Sequence, residues 1–460
     1  MNPPPSAPRV ELVRGLSTWD GVSLTVGAMV GTGIFLTSSD IARGLPHGGL
    51  LLLVWLAGGL LSVAGALTYA ELGAAFPRAG GIYHFLKEAY GPLAGFLYGW
   101  GAFLAIMSGG IAAIAVGFGE YLGAFLPFFS TGHVFATHSI GSWTWTLTGG
   151  QLAGALAILA LTTINHFGLK GGALVQNLLT IAKIGALAAL GLIGFLVPAH
   201  APSGLAAPLP AVEGGLLAAF GVGMIAALWT YDGWYGLAFS AGEMRTPERS
   251  LPWGLIGGTA LVTLLYVLVN VVYLRAIPVA EMGGTERIGE AAAGVLFGPA
   301  GARWISAAVL VSTFGCLAAT ILYSSRIYQP MAADGLFFRG LAEVNPRWRI
   351  PARSLWAQSL WAVLLTLSGT YQQLYTWVTF VALIFHVATG AALFVLRRKQ
   401  PDLPRPYRVW GYPVVPLLFL GASGLLVVNT LFEQPVEALL GLLLVALGLP
   451  AFAFWKGKKA

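Results

Sequence analysis

Gly27, Gly31, Thr32 and Gly33 fall within VGAMVGTGIF (26–35), inside an apolar stretch that otherwise reads as a membrane span. Glycine weakens a helix by about 1 kcal/mol relative to alanine. A helix broken at Gly31–Thr32–Gly33 frees the amide N–H groups that start its second half, and these, with the helix dipole, favour a carboxylate. The carbonyls that end the first half favour an ammonium. An α-amino acid carries both groups. Unpaired backbone is tolerated in hydrocarbon only where it lines a cavity or is buried in protein. A second interruption, YDGWYG (231–236), follows Trp229 in another apolar stretch. A third feature is Lys183, near the middle of the apolar stretch 171–197. A cation at mid-membrane costs at least about 2.5 kcal/mol even on lenient scales, so it reads as functional.

This is chemistry of recognition rather than bond-making. No Ser/His pair or paired aspartates converge as an intramembrane enzyme would need. His166 and His386 lack neighbouring ligands for a metal. GFGEYLG (117–123) lacks the lysine and hydroxyl residue of a phosphate loop. No cofactor is implied. Glu71 and Glu120 sit near span ends, where structural pairing or solvation accounts for them, and Glu243 is expected to pair with Arg245.

The elements that must position these residues are membrane helices. The 460 residues are 57% apolar and 9% charged, with mean hydropathy +0.77. Soluble domains carry about 25% charged residues, so that class is excluded. A span needs about 20 apolar residues. Twelve are expected, near 18–42, 48–75, 91–126, 149–166, 171–197, 214–242, 252–276, 302–330, 352–369, 371–396, 412–431 and 435–455. The long span 91–126 is expected to tilt or project. Residues 77–92 read as a short interfacial helix, and 397–413 as a basic, Pro-rich loop that cannot be helical throughout.

Charge sets the orientation. Arg9, Arg14, Arg78, Lys87, Lys170, Arg245, Arg249, the arginines from 326 to 353, those from 397 to 408 and the terminal Lys456, Lys458 and Lys459 all lie on one side if spans alternate. The other side keeps only Arg43, Arg275, Arg287 and Arg303. Positive loops stay cytoplasmic, so both termini are expected inside a plasma membrane. The net charge of +7 follows this topology and does not imply nucleic acid. The N-terminal MNPPPSAPRVELVRG lacks the apolar core of a cleaved signal. The single cysteine, Cys316, lies in an apolar segment, which excludes an intrachain disulfide.

Five spans separate the starts of the two interrupted ones, so these run in opposite directions. Interrupted helices at matching places in two inverted halves point to a transporter binding site. Glycines can also serve close helix packing, and a channel can contain broken helices too. A midplane lysine beside one compact zwitterion site suits alternating access better than a pore.

VGAMVGTGIF resembles the first-helix motif of the amino acid–polyamine–organocation superfamily. LWTYDGWYGLAFSAGEMRTPERSLP (228–252) resembles the sixth-helix signature of its L-type amino acid transporter branch. So do FPRAGGIYHFLKEAYGPLAGFLYGW (76–100), GLKGGALVQNLLTIAKIGAL (168–187) and PDLPRPYRVWGYP (401–413). The resemblance implies an all-α, LeuT-type fold. A cytoplasmic tail (1–17) would precede inverted five-helix repeats at 18–200 and 201–400, with two extra helices and a basic tail at 401–460. It also implies Na⁺-independent amino acid transport, often by exchange, with proton symport and cationic or polyamine transport as alternatives.

Carried over, the amides of Gly31, Thr32 and Gly33 would hold the substrate carboxylate. The carbonyls of Met29, Trp229 and Asp232 would hold its amino group. Trp229 falls at the family's aromatic gate but is bulkier than the usual phenylalanine. Tyr235 stands where a small polar residue is common. Lys183 would replace a sodium ion, faced by Ser312 and Thr313. Animal relatives join a heavy chain through a cysteine in the loop after the third helix. Loop 127–148 has none, so no disulfide-linked partner is expected. The apolar candidates around the site point to neutral substrates.

Overall fold

A computed structural model describes residues 14–140, 143–167, 169–205, 207–212, 214–369 and 371–457. Arg9, Gly168, Lys458 and Lys459, used in the charge and motif readings, lie outside the described residues. The helices in chain order are α1 Thr18–Met29, α2 Gly33–Gly44, α3 Gly48–Ala75, α4 Ile82–Tyr90, α5 Pro92–Gly101, α6 Met107–Leu122, α7 Gly149–His166, α8 Leu169–Leu196 and α9 Leu216–Tyr231. They continue as α10 Pro247–Ala276, α11 Val279–Met282, α12 Ile288–Ala333, α13 Ala352–Thr366, α14 Tyr371–Lys399, α15 Val414–Glu433, α16 Pro435–Ala446 and α17 Gly448–Gly457. Loop 127–148 folds into an antiparallel hairpin, β1 Val134–Ile140 with β2 Trp143–Thr148.

Among the described residues, nine spans are long and apolar enough to cross a membrane, and the bent pair α1–α2 makes a tenth. The twelve expected spans are therefore not all confirmed. The remaining two form helices, α7 of 18 residues and α13 of 15, that do not meet the same measure. At 1.5 Å per residue, α13 rises only about 22 Å against a hydrocarbon core of about 30 Å. The span 91–126 ends at Leu122 and contains a π-helical stretch, Ala102–Ile106, between α5 and α6. α12 starts well before the expected 302 and is interrupted at Gly298, whose φ of +74° a side chain would strain.

Burial sorts the layers. The most apolar window of the α5–α6 span is 83% buried, against 17% for that of α16–α17. α6 is thus a central helix and the last pair forms an outer layer. Leu217, Leu425 and Phe432 are large, apolar and strongly exposed, as lipid-facing side chains would be. α1 packs on α10, α8 and α12, which surround the first break.

The ends are fixed by specific caps. Ser17 and Asp20 form a capping box at α1, and Asn177 of α8 donates to Asp20 Oδ1 at 2.7 Å. Glu71, near the end of α3 and almost fully buried, accepts from Arg397 Nε at 2.9 Å, Arg397 Nη2 at 2.6 Å and the Val409 amide at 2.7 Å. Arg405 adds an ion pair at 3.5 Å. Glu71 thus pairs structurally, as its position suggested, and it pins the basic loop 397–413 to α3. Glu243 corrects the expected pairing. It meets Arg326 in a two-pronged, fully buried pair at 3.1 Å, because Arg326 on α12 points inward while the Arg245 amide donates to Leu16 O.

Candidate substrate site

The first span breaks between Met29 and Gly33 with a 43° bend. The amides of Thr32, Gly33 and Ile34 meet no acceptor among the described residues. The second break follows Tyr231. Asp232 leaves the helix with ψ 153°, Gly233 adopts φ +96°, and a 3-10 segment resumes at Gly236–Glu243. A Cβ at Gly233 would stand 3.0 Å from Ala28, and one at Gly33 only 2.6 Å from Thr230 Oγ1. Glycine at these two positions lets the breaks approach each other.

Between them lies a small cavity lined by Met29, Gly31, Thr32, Gly33, Trp229 and Asp232 among others. Six of the seven residues expected to touch substrate therefore meet in one cavity. Tyr235 does not line it. Its ring packs instead on Trp234, Phe239 and His386, because it ends the turn 232–235 that leads from the break into the 3-10 segment. The Met29 carbonyl lines the wall, yet both of its lone pairs are taken, by Tyr266 Oη at 2.8 Å and the Gly31 amide at 3.0 Å. Trp229 O accepts one backbone bond, from the Asp232 amide at 3.0 Å. Among the described residues no basic side chain pairs with Asp232.

Lys183 sits against the end of α1. Its Nζ donates to Gly27 O at 2.9 Å and to Val30 O at 3.0 Å. Ser312 Oγ donates to the same Val30 carbonyl at 3.0 Å. Thr313 is adjacent, but its hydroxyl donates to Val309 O in its own helix and is not aimed at the break. The lysine thus caps the carbonyls at the end of α1, where the helix dipole favours a positive group.

Two interrupted helices, the cavity between them and a buried lysine at the end of α1 make up the candidate site. Residues 16–447 match the family model for amino acid permeases. The chain belongs to the amino acid permease family. The permease is 31% identical to the serine/threonine exchanger SteT of Bacillus subtilis over 95% of this chain and 96% of the relative. It is 30% identical to the human large neutral amino acids transporter small subunit 2, over 98% and 82% of the two chains. It is 31% identical to the human b(0,+)-type amino acid transporter 1, over 92% and 84%. This permease is an all-α, multi-pass membrane transporter of amino acids, not an enzyme.

Sequence reasoning missed several wall residues. Cys316 lines the cavity and its thiol donates to Ala28 O at 2.8 Å. Thr320 and Tyr323 follow from α12 on the same side. The spacing of Ser312, Cys316 and Thr320 at every fourth position was the available signal, since it places them on one face of a helix. Ile106 of the π-helical stretch and Met107, Gly110 and Ile114 of α6 also reach the cavity. They carry no distinctive chemistry, so nothing in the sequence separated them from packing.

Proposed function

We propose that this permease is a Na⁺-independent exchanger of small to medium neutral amino acids. The observation that carries the reading is the Lys183 ammonium seated on the Gly27 and Val30 carbonyls. A fixed cation there removes the need for a bound one, with Ser312, and Thr313 beside it, bracing α12. The free amides at Thr32 and Gly33 take the substrate carboxylate, joined by the Gly31 amide once it releases Met29 O. The ammonium falls to the Trp229 carbonyl and to Asp232, with Met29 contributing once Tyr266 lets go. Tyr235 shapes the site from the turn that follows Asp232. Methionine, isoleucine and tryptophan side chains complete the wall and favour an uncharged substrate side chain.

The two interrupted helices head inverted halves, 18–200 and 201–400, which rock about the site. Both termini face the cytoplasm, from the placement of basic residues. The protein works in the plasma membrane without a disulfide-linked heavy chain, because Cys316 is buried at the site and the hairpin loop has no cysteine. The test is counterflow in proteoliposomes preloaded with a panel of amino acids, in sodium-free buffer, with and without a proton gradient. Rapid exchange of alanine, serine or leucine without either ion gradient is expected. Activity that requires sodium, or lysine and arginine far ahead of neutral amino acids, overturns the reading.

A further inference from the structure

The cavity is separated from open space on one face by aromatic side chains of two helices. Trp229 lines the cavity. Tyr371 lines a pocket on the α2-end face, and Tyr375 lines another beside it. Asp40 and Arg43 line both pockets.

The contacts across this wall are specific. Trp229 Nε1 donates to Tyr371 Oη at 2.8 Å. Its indole also stacks on Tyr375, with centroids 6.0 Å apart and planes 17° apart. Tyr375 Oη donates to Asp40 Oδ2 at 3.2 Å, and Arg43 Nη1 pairs with Asp40 Oδ1 at 2.9 Å. One chain of contacts therefore joins α9, α14 and α2. An indole N–H turned into an apolar wall needs an acceptor, and Tyr371 supplies it. A phenylalanine at 229 would make no such demand.

We propose that Tyr371 is a positioning residue that latches Trp229 shut over the substrate cavity, with Tyr375 and Asp40 tying the second half of the broken first span into the same latch. The proposal rests on the cavity being the substrate site. Closing toward the α2-end face is then an event of α14 as much as of α9. Release of one hydrogen bond frees the indole to swing while its stacking partner stays in place. The residue acts through Trp229 and touches no substrate.

The only cysteine, Cys316, lines the cavity and reports on access without relying on transport. The experiment is the rate at which a membrane-impermeant methanethiosulfonate cation modifies Cys316, in intact cells and in inside-out vesicles, for wild type, Tyr371→Phe, Trp229→Phe and the double variant. Tyr371→Phe is expected to speed modification about threefold or more, the size set by one neutral hydrogen bond. The gain should appear from the α2-end face alone, and the double variant should be no faster than the faster single one. A general loosening of the fold would raise the rate from both faces. An unchanged rate in Tyr371→Phe, an increase from both faces, or additive effects overturn the latch. If Tyr371→Phe does not fold, Trp229→Phe carries the same test, since it removes the N–H and keeps a ring on Tyr375. Failure of alanine, serine or leucine to protect Cys316 in wild type would instead overturn the substrate-site reading.

Discussion

Gly33 sets how closely the two breaks approach, and it has no room to spare. A Cβ there would lie 2.6 Å from Thr230 Oγ1 and 2.8 Å from its Cγ2. Gly33→Val is expected to abolish substrate binding, because separating the breaks disperses the groups that hold the zwitterion. The protein should still elute as a single species in size exclusion, and radiolabelled binding on that material is the check. Lys183 tests the same wall from the other side. Lys183→Ala removes two charged hydrogen bonds and leaves the α1 carbonyls with fewer donors. Hydrogen bonds to charged groups are worth about 1.5–3 kcal/mol each, so counterflow should fall about tenfold or more. Wild-type counterflow in sodium-free buffer from about pH 5.5 to 8.5 should persist throughout if the amine is a fixed cation. An unimpaired alanine variant would remove this role from Lys183.

Elements are held in register by a few buried charges, and Glu243–Arg326 joins the 3-10 segment to α12. Breaking a buried pair by removing one partner costs about 3–5 kcal/mol. Glu243→Gln should therefore lower the melting temperature of the detergent-solubilised protein, and the further change Arg326→Met should recover part of it. That pairing illustrates what was legible beforehand. Both breaks were readable, because glycines and a turn sequence inside apolar runs have few explanations in hydrocarbon. Lys183 was readable because a lone midplane cation is expensive. The short helix α4 was readable from its mixed composition. Pairings were not. Arg245 lies two residues from Glu243, while Arg326 is 83 residues away, and only the packing of α12 decides between them. The direction of the Tyr235 ring was not legible for a similar reason, since the turn 232–235 follows no regular period. The hairpin at 134–148 was missed because an apolar census gives short strands no weight.

At the scale of the molecule, the loops outside the spans set how stability varies with pH. Burial and the nearby Lys87 charge hold His84 down to about 4, from an ordinary 6.5. The folded state then binds fewer protons than the unfolded one between those values, so stability falls as pH drops through that window. The slope is at most about 1.4 kcal/mol per pH unit, reduced because His84 is not fully buried. Thermal unfolding in detergent should show a lower melting temperature at pH 4.5 than at pH 7, and His84→Gln should flatten the difference. Asp334 acts in a lower window. Burial alone would raise its carboxyl, but the Lys87 and Tyr83 hydrogen bonds outweigh it and hold it below the usual range. Its contribution is present above the ordinary carboxylate value and is lost below about pH 4. Glu71 adds a dimension of time. Its partner Arg397 lies 326 residues further along the chain. At about 5–20 residues per second, roughly 16–65 s separate their appearance from the ribosome. Throughout that interval α3 carries a carboxylate whose guanidinium partners have not been made. A chain halted before α14 is finished thus still carries an unanswered negative charge on α3.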